Sequence, residues 1–230
     1  VFAALHGWKD EGGRYISDAL SRGASAVLCD DSQLSVDNAV VLVPKGDVAE
    51  SLGKLSSKFY GNPSKSMKIF AVTGTNGKTT ITYMLEKIFR SVGKGLGIVG
   101  TIAYRYGQIN IPAPNTTPQS SDLHKVLRDM KDLGAWGAAM EVSSHGLVQN
   151  RIAGCDIDTA IFTNLTHDHL DYHKTMEDYK KAKFLLFDKF LAASDKPDKY
   201  SVVNTDDPCG KELSLILSGK VITYGLSARA

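Results

Sequence analysis

The chain alternates short apolar runs with longer segments in which apolar residues recur every three or four positions. SAVLC (25–29) and AVVLV (39–43) predict buried strands, and Val48, Leu52, Leu55 and Phe59 mark one face of a helix. YGNPSKSM (60–67) is polar and turn-rich, and predicts a connector and a domain boundary. The pattern then restarts. KIFAV (68–72) predicts a strand, and Ile81, Met84, Leu85, Ile88, Phe89 and Val92 a helix that Gly93 stops. GIVGTIA (97–103) is strand-like. Thr117-Pro118 opens a helix whose face is Leu123, Val126, Leu127, Met130 and Leu133, with Gly134 closing it. The strands GAAMEVS (137–143) and TAIFTNL (159–165) follow, then a helix from about Glu177, then the strands YSVVN (200–204) and KVITYG (220–225). This alternation predicts an α/β fold with a mostly parallel sheet in residues 66–230, preceded by a small α/β domain in residues 1–65. Polar residues cluster where the strands end, which is where open parallel sheets place ligands.

One such cluster is TGTNGKTT (73–80). A strand, a glycine loop and an amphipathic helix are the context of a phosphate-binding loop, so the central domain reads as P-loop-containing. The usual G-x-x-x-x-G-K-[ST] would put its first glycine at Val72; here it stands at Gly74, two residues late. Gly74 and Gly77 let backbone N–H groups turn toward an anion, and the helix beginning near Lys78 adds its positive dipole end. Lys78 would reach the β- and γ-phosphates and the Thr79 hydroxyl would sit on Mg²⁺. The alternative is a plain tight turn; the shortened spacing has no explanation from the residues alone.

Composition changes this picture little. The chain has 230 residues, 43% hydrophobic and 23% charged, as in a soluble globular protein. With 27 basic and 25 acidic residues the net charge is +2, which gives no field for nucleic acid. No apolar run reaches the ~18 residues that span a membrane. VFAALHGWKDEGG lacks the basic segment before an apolar core that marks a signal peptide. Val1 begins inside a strand pattern without an initiator Met, so the chain is expected to be cut at both ends. Cys29, Cys155 and Cys209 are too few and too far apart for a disulfide framework or a metal pair, and read as small buried residues of a reducing cytosol.

Acidic and histidine residues gather in the second half. Four of the six histidines lie between positions 145 and 173. Glu141 stands at a strand end in MEVSSHGLVQNR (140–151), where a carboxylate beside a phosphate loop is a candidate Mg²⁺ ligand; the bland alternative is a solvated strand-end Glu. FTNLTHDHLDYH (162–173) nearly spells a binuclear metallohydrolase motif, but Tyr172 stands where that motif needs histidine. An imidazole cluster would suit zinc and a hard-oxygen site with one imidazole Mg²⁺; His167 and His173 could equally be solvated loop residues. In the following helix Tyr179, Ala182, Leu186, Phe187 and Phe190 form an apolar stripe that contains Lys183, while Lys180 and Lys181 lie off it and read as solvated. A lysine on a buried face is costly unless paired or neutralised. It either snorkels or points at the site.

TGTNGKTT, NTTP (115–118), MEVSSHGL, FTNLTHDHLDYH, YKKAKFLLF (179–187) and NTDD (204–207), in this order, closely resemble the ATP-dependent Mur ligases. NTTP with MEVSSHGL is the part that resembles the members adding the third amino acid of the peptide. The resemblance covers nearly the whole chain and accounts for the loop, since this family and the folylpolyglutamate synthetases carry the shorter G-[TS]-N-G-K-[ST]. It implies that residues 1–65 belong to a UDP-binding domain and that Gly74, Thr75, Asn76, Gly77, Lys78, Thr79 and Thr80 bind ATP. It implies that Asn115, Thr116, Thr117, Ser143, Gln149 and Arg151 hold UDP-MurNAc-dipeptide, with Trp8, Lys9 and Asp10 in a uridine-side loop. Glu141 and His169 would join Thr79 as Mg²⁺ ligands. Lys183 would be carbamylated by CO₂ and help hold the metal as an anion.

The reaction so implied is attack of a D-Glu carboxylate on the γ-phosphate of ATP, followed by displacement of phosphate from the acyl phosphate by an amino group. No side chain need be a nucleophile, in keeping with the lack of a Ser/His/Asp or Cys/His arrangement. The partners would be UDP-MurNAc-dipeptide and meso-diaminopimelate or L-lysine, a choice the sequence leaves open. The enzyme would be a cytoplasmic monomer of peptidoglycan synthesis, and so of cell shape and division, without nucleic-acid or membrane partners. The family's Asp-Ser-Arg segment and its third domain, with D-N-P-R, are not in the sequence, so the chain alone is not expected to ligate. The rival readings are a folylpolyglutamate or cyanophycin synthetase, which NTTP and the HGLVQNR tail oppose, and a non-catalytic nucleotide switch, which would have no need of His169 and a core-facing Lys183.

Overall fold

A computed structural model of the chain describes residues 1–7, 11–168 and 170–226. Around a first, three-stranded sheet lie β1 (Phe2–Ala3), α1 (Ile16–Ser21), β2 (Ala26–Leu28), β3 (Val40–Leu42) and α2 (Val48–Phe59). The strands pair in parallel over a small core of Ala4, Val27 and Cys29. Around a second, eight-stranded sheet lie α3 (Pro63–Ser66), β4 (Lys68–Thr73), α4 (Lys78–Ser91), β5 (Leu96–Val99), β6 (Ala103–Tyr106), β7 (Ile109–Pro112) and α5 (Ser120–Asp132). The chain continues through β8 (Gly137–Glu141), α6 (Ser144–Val148), β9 (Thr159–Phe162), α7 (Leu170–His173), α8 (Met176–Leu185), β10 (Tyr200–Asn204), α9 (Pro208–Ile216) and β11 (Lys220–Tyr224). A π-helical stretch, Leu186–Leu191, prolongs α8. No helix among the described residues is long and apolar enough to cross a membrane.

The large sheet has the order β11-β10-β9-β4-β8-β5-β6-β7 and is parallel from β11 through β5. β6 and β7 add an antiparallel hairpin at one edge. The chain leaves β4 toward β5 on one side and leaves the adjacent β9 toward β10 on the other. Diverging connections open a crevice beyond the C-terminal ends of β4 and β9, the position that binds ligands in doubly wound sheets. Strand residues alternate between two cores, as the pleat requires. Ile69, Ala71, Ala138 and Met140 face α5 and α8, whereas Phe70, Leu96, Ile98 and Ala139 face Leu85 and Phe89 of α4.

Several faces differ from the periodicity. β3 is an edge strand rather than a buried one, with Val40 59% exposed. On α2 Val48 is buried as expected, but beyond it Gly53, Ser56 and Ser57 pack, while Leu55 is exposed and Phe59 is 80% exposed. The cause is backbone proximity: a Cβ added at Gly53 would lie 2.5 Å from the Ala153 carbonyl oxygen. Large side chains therefore turn to solvent. The broad apolar stripe of α4 is only half used, and Met84, Ile88 and Val92 are exposed. GIVGTIA is not one strand: the chain turns after Val99 and returns antiparallel from Ala103. The stripe of α8 is buried along its length with Lys183 inside it. Lys180 is not solvated but paired with Glu177 and Glu212. His173 is buried as well, against Ser144. Cys29 and Cys155 are buried and Cys209 half-buried, all as free thiols; burial pushes Cys155 up to about 12, so it is inert at neutral pH.

These faces reverse the expectation for two substitutions. Gly53→Ala should destabilise the chain by about 1–3 kcal/mol, because the methyl group meets backbone. Phe59→Ala should change stability by less than about 0.5 kcal/mol. Urea unfolding of the two variants checks the order.

Candidate functional site

The loop between β4 and α4 is built by two left-handed glycines. Gly74 has φ +140° and Gly77, the N-cap of α4, has φ +86°. Gly74 is also forced by proximity, since a Cβ there would overlap the Thr163 hydroxyl. A short loop makes few bonds of its own, and here the segment after β9 supplies them. Thr75 donates its N–H to the Asn164 carbonyl (2.9 Å), and Asn76 donates its N–H to Asn164 Oδ1 (2.9 Å). Thr163 Oγ1 donates to the Asn76 carbonyl (2.7 Å), and the Thr166 N–H donates to Thr75 Oγ1 (3.0 Å). Lys78 folds back over the loop, donating to the carbonyls of Gly74 and Thr75 (both 2.9 Å). Burial lowers its pKa, opposed by the charges of Glu141 and Asp168.

Glu141 ends β8 directly beside this loop and is 1% exposed. Its carboxylate accepts from Thr79 Oγ1 (2.9 Å), from the Thr101 N–H (3.1 Å) and from Thr101 Oγ1 (3.0 Å). Gly100 makes room for it: a Cβ at that position would sit 2.2 Å from Glu141 Oε1. The paired hydroxyl and carboxylate are hard oxygen donors, which fits Mg²⁺ and not a thiolate- or imidazole-rich zinc site. Among the described residues no group of three or more His, Cys, Asp or Glu converges on one point.

Lys183 is 1% exposed and lies over the ring of Tyr179, its ammonium 4.3 Å from the ring centre. Burial first and the charge of Lys78 second bring its pKa down to about 7, against the opposing charge of Asp168. Tyr179 in turn pairs its hydroxyl with Thr75 of the loop (3.3 Å). A buried lysine poised near neutrality is a nucleophilic amine in a way a solvated lysine is not.

The residues just before α5 and those after β8 form a second, adjoining set. Thr117 Oγ1 accepts from the Ser143 N–H (2.9 Å), and Ser143 caps α6 by accepting from the Gly146 N–H (3.0 Å). Thr116 reaches Thr101 through paired hydroxyls (3.1 Å), and the Asn115 carbonyl accepts from Tyr104 (2.5 Å). Arg151 is held by Gln149 Oε1, which accepts from Nε and Nη2 (2.9 and 2.7 Å), and by the Thr117 carbonyl on Nη1 (2.8 Å). These bonds use three of its five N–H groups and leave one on each terminal nitrogen. A cleft of about 560 Å³ opens here, with Gln149, Arg151 and Tyr172 on one wall and His6, Gly7 and Asp47 on another.

The structure thus brings together the loop residues, Glu141 and Lys183, and separately Thr117, Ser143, Gln149 and Arg151. Trp8, Lys9, Asp10 and His169 lie outside the described residues. His167 is exposed. The sequence did not single out Thr101, which holds Glu141, Thr163 and Asn164, which hold the loop, or Asp168, whose charge acts on both Lys78 and Lys183. The only signal for them is polarity at a strand's C-terminal end, which every strand of such a sheet shows.

The family described as the Mur ligase middle domain matches residues 72–230. A 2,6-diaminopimelate ligase acting on UDP-N-acetylmuramoyl-L-alanyl-D-glutamate, from Geobacter metallireducens, is 44% identical over 99% of this chain and 44% of its own length. The enzyme of the same name from Geobacillus kaustophilus is 42% identical over 100% of this chain and 47% of its own. A solved structure of a ligase of that name superimposes with a TM-score of 0.82 at 32% identity, over 99% of this chain and 46% of that one. The chain therefore spans about half the length of the relatives it matches.

Lys183 makes stability depend on pH with a defined sign. Its folded pKa, about 7, lies below its ordinary value of 10.5, so between those limits the unfolded chain binds more protons and stability rises with pH. Lys183→Met removes the titration. In urea unfolding, the advantage of the Met variant over the wild type should be largest below about pH 7 and shrink steadily toward alkaline pH.

Proposed function

The chain belongs to the Mur ligase family, and we propose that it is the nucleotide- and substrate-binding half of an ATP-dependent amide ligase. In this reading the full-length enzyme joins 2,6-diaminopimelate to UDP-MurNAc-L-Ala-D-Glu in the cytoplasmic steps of peptidoglycan synthesis. The names of the relatives support these substrates. The observation that carries the reading is the convergence of Lys78, the Thr79–Glu141 pair and buried Lys183 at one sheet edge, next to the cleft reached by Arg151.

Each residue has work suited to its surroundings. The N–H groups at the start of α4 and the Lys78 ammonium would hold the β- and γ-phosphates of ATP and stabilise charge that develops on transfer. Thr79 and Glu141 would hold Mg²⁺, which supplies charge neutralisation on the phosphate oxygens. Asn115, Thr116, Thr117 and Ser143 would line the path of the UDP-MurNAc peptide, with Gln149 setting Arg151 so that its two remaining N–H groups grip a substrate carboxylate. Trp8, Lys9 and Asp10 would take the uridine side, and His169 would complete the metal shell. Lys183, with its pKa near 7, would take up CO₂ as a carbamate and present an anion toward the loop.

The full-length enzyme should release ADP only when UDP-MurNAc-L-Ala-D-Glu and 2,6-diaminopimelate are both present. Lys78→Ala should lower kcat by about 10²–10³-fold, as loss of one charge-stabilising donor does elsewhere. Phosphate release indifferent to the UDP-dipeptide would overturn the reading. Intact mass with and without bicarbonate tests the carbamate: a gain of one CO₂ that Lys183→Met abolishes is the expected result.

A further inference from the structure

Asn150 stands between Gln149 and Arg151 and has no part in the site as described so far. Its backbone is left-handed, φ +54°, and its side chain is buried. Both ends of its amide are used. Nδ2 donates to Asp47 Oδ1 (2.9 Å), and Oδ1 accepts from the Lys189 ammonium (2.8 Å). Asp47 is itself the N-cap of α2, where the same oxygen accepts from the Glu50 N–H (2.7 Å). Lys189 closes the circuit on Glu50 (2.9 Å). Three remote parts of the chain therefore meet at one amide: the start of α2, the turn bearing Gln149 and Arg151, and the π-helical extension of the helix that bears Lys183.

The contact around it is close. Gly53 and Gly154 approach at backbone distance, each with a position where a Cβ would lie under 3 Å from the other segment. His124, buried on α5, supports the same turn by donating Nε2–H to the Ala153 carbonyl (2.8 Å). The carbonyl can only accept, so the proton is on Nε2. The turn 150–154 is thus clamped from α2 and α5, but it is only at Asn150 that side-chain bonds run both to α2 and to the Lys189 segment. Glycine could supply the same φ without either bond, so the conformation alone does not call for asparagine.

We propose that Asn150 is a positioning residue for the substrate site: through Asp47 and Lys189 it fixes the turn that aims Arg151, and registers that turn against α2 and the Lys183 helix. It rests on the reading that Arg151 holds the UDP-MurNAc peptide. Asn150 itself is placed away from the ATP loop, so its loss should affect one substrate and not the other.

The test uses the full-length enzyme and steady-state ligation. Asn150→Gly keeps the backbone conformation and deletes both bonds. KM for UDP-MurNAc-L-Ala-D-Glu should rise about tenfold, the scale set by losing bonds to charged partners. KM for ATP and kcat should stay within about twofold. Asn150→Asp should be worse, since a carboxylate then faces Asp47. A rise shared by both KM values, or an unchanged KM, would overturn the proposal. If the wild type itself fails to turn over with the UDP-dipeptide, the functional reading falls and the latch is judged by amide hydrogen exchange of residues 149–154. There, faster exchange in Asn150→Gly supports the latch, and unchanged exchange overturns it.

Discussion

Three ionisable groups gather at one short loop, Glu141 and Lys183 buried and Lys78 half-buried, and keeping them from water is the constraint on which the rest of the large sheet depends. An isolated charge in a protein interior costs several kcal/mol unless it is bonded or neutralised. Glu141 meets that demand with donors from Thr79 and Thr101, Lys78 with two loop carbonyls, and Lys183 with the face of Tyr179 and a pKa near neutrality. Glu141 draws on the end of β5 through Thr101 and Lys78 on the end of β4, whereas Lys183 relies on Tyr179 of its own helix. The strand order that sets β4 between β8 and β9 is what makes those ends neighbours.

The same arrangement explains how a phosphate loop can be two residues shorter than the common form. A short loop leaves its N–H and C=O groups without local partners, and buried backbone groups are rarely left so. The segment 163–166, leaving β9, supplies the missing bonds to Thr75 and Asn76 and packs its Thr163 hydroxyl where Gly74 lacks a side chain. Loop and strap form one structure from two distant stretches. Lys183 joins it through Tyr179, whose hydroxyl reaches Thr75. Occupation of the loop by an anion would therefore be felt at the lysine directly, through charge and through one ring.

Between the two sheets the contact depends on small residues instead of apolar bulk. Gly53, Ser56 and Ser57 of α2 admit the backbone of the turn 153–154, and the polar chain from Asp47 through Asn150 to Lys189 fixes its register. Backbone packing of this kind leaves little room for sliding. It sets the wall of the cleft that holds Arg151 at a defined distance from the wall that holds His6 and Gly7.

The sequence by itself determined the α/β class, the phosphate loop and the elements flanking it, because period-two and period-3.6 patterns tell strand from helix whichever face is finally buried. It determined the buried stripe of α8 with Lys183 inside it for the same reason. It marked Glu141 as a strand-end acid and Thr79 beside it but not the two donors from Thr101, since Thr101 belongs to what reads as an unbroken strand, GIVGTIA, until Gly100 must make room for the carboxylate. It placed Val48 on the buried face of α2 but misassigned Leu55 and Phe59, because periodicity assumes that large apolar residues face inward, and along the second half of α2 a partner backbone comes too close for side chains. The strap on the loop, the pairing of Asn150 with Asp47 and Lys189, and the influence of Asp168 on two lysines were decided by tertiary structure alone. They join residues tens of positions apart, and nothing local in the chain records which strand ends the sheet will bring together.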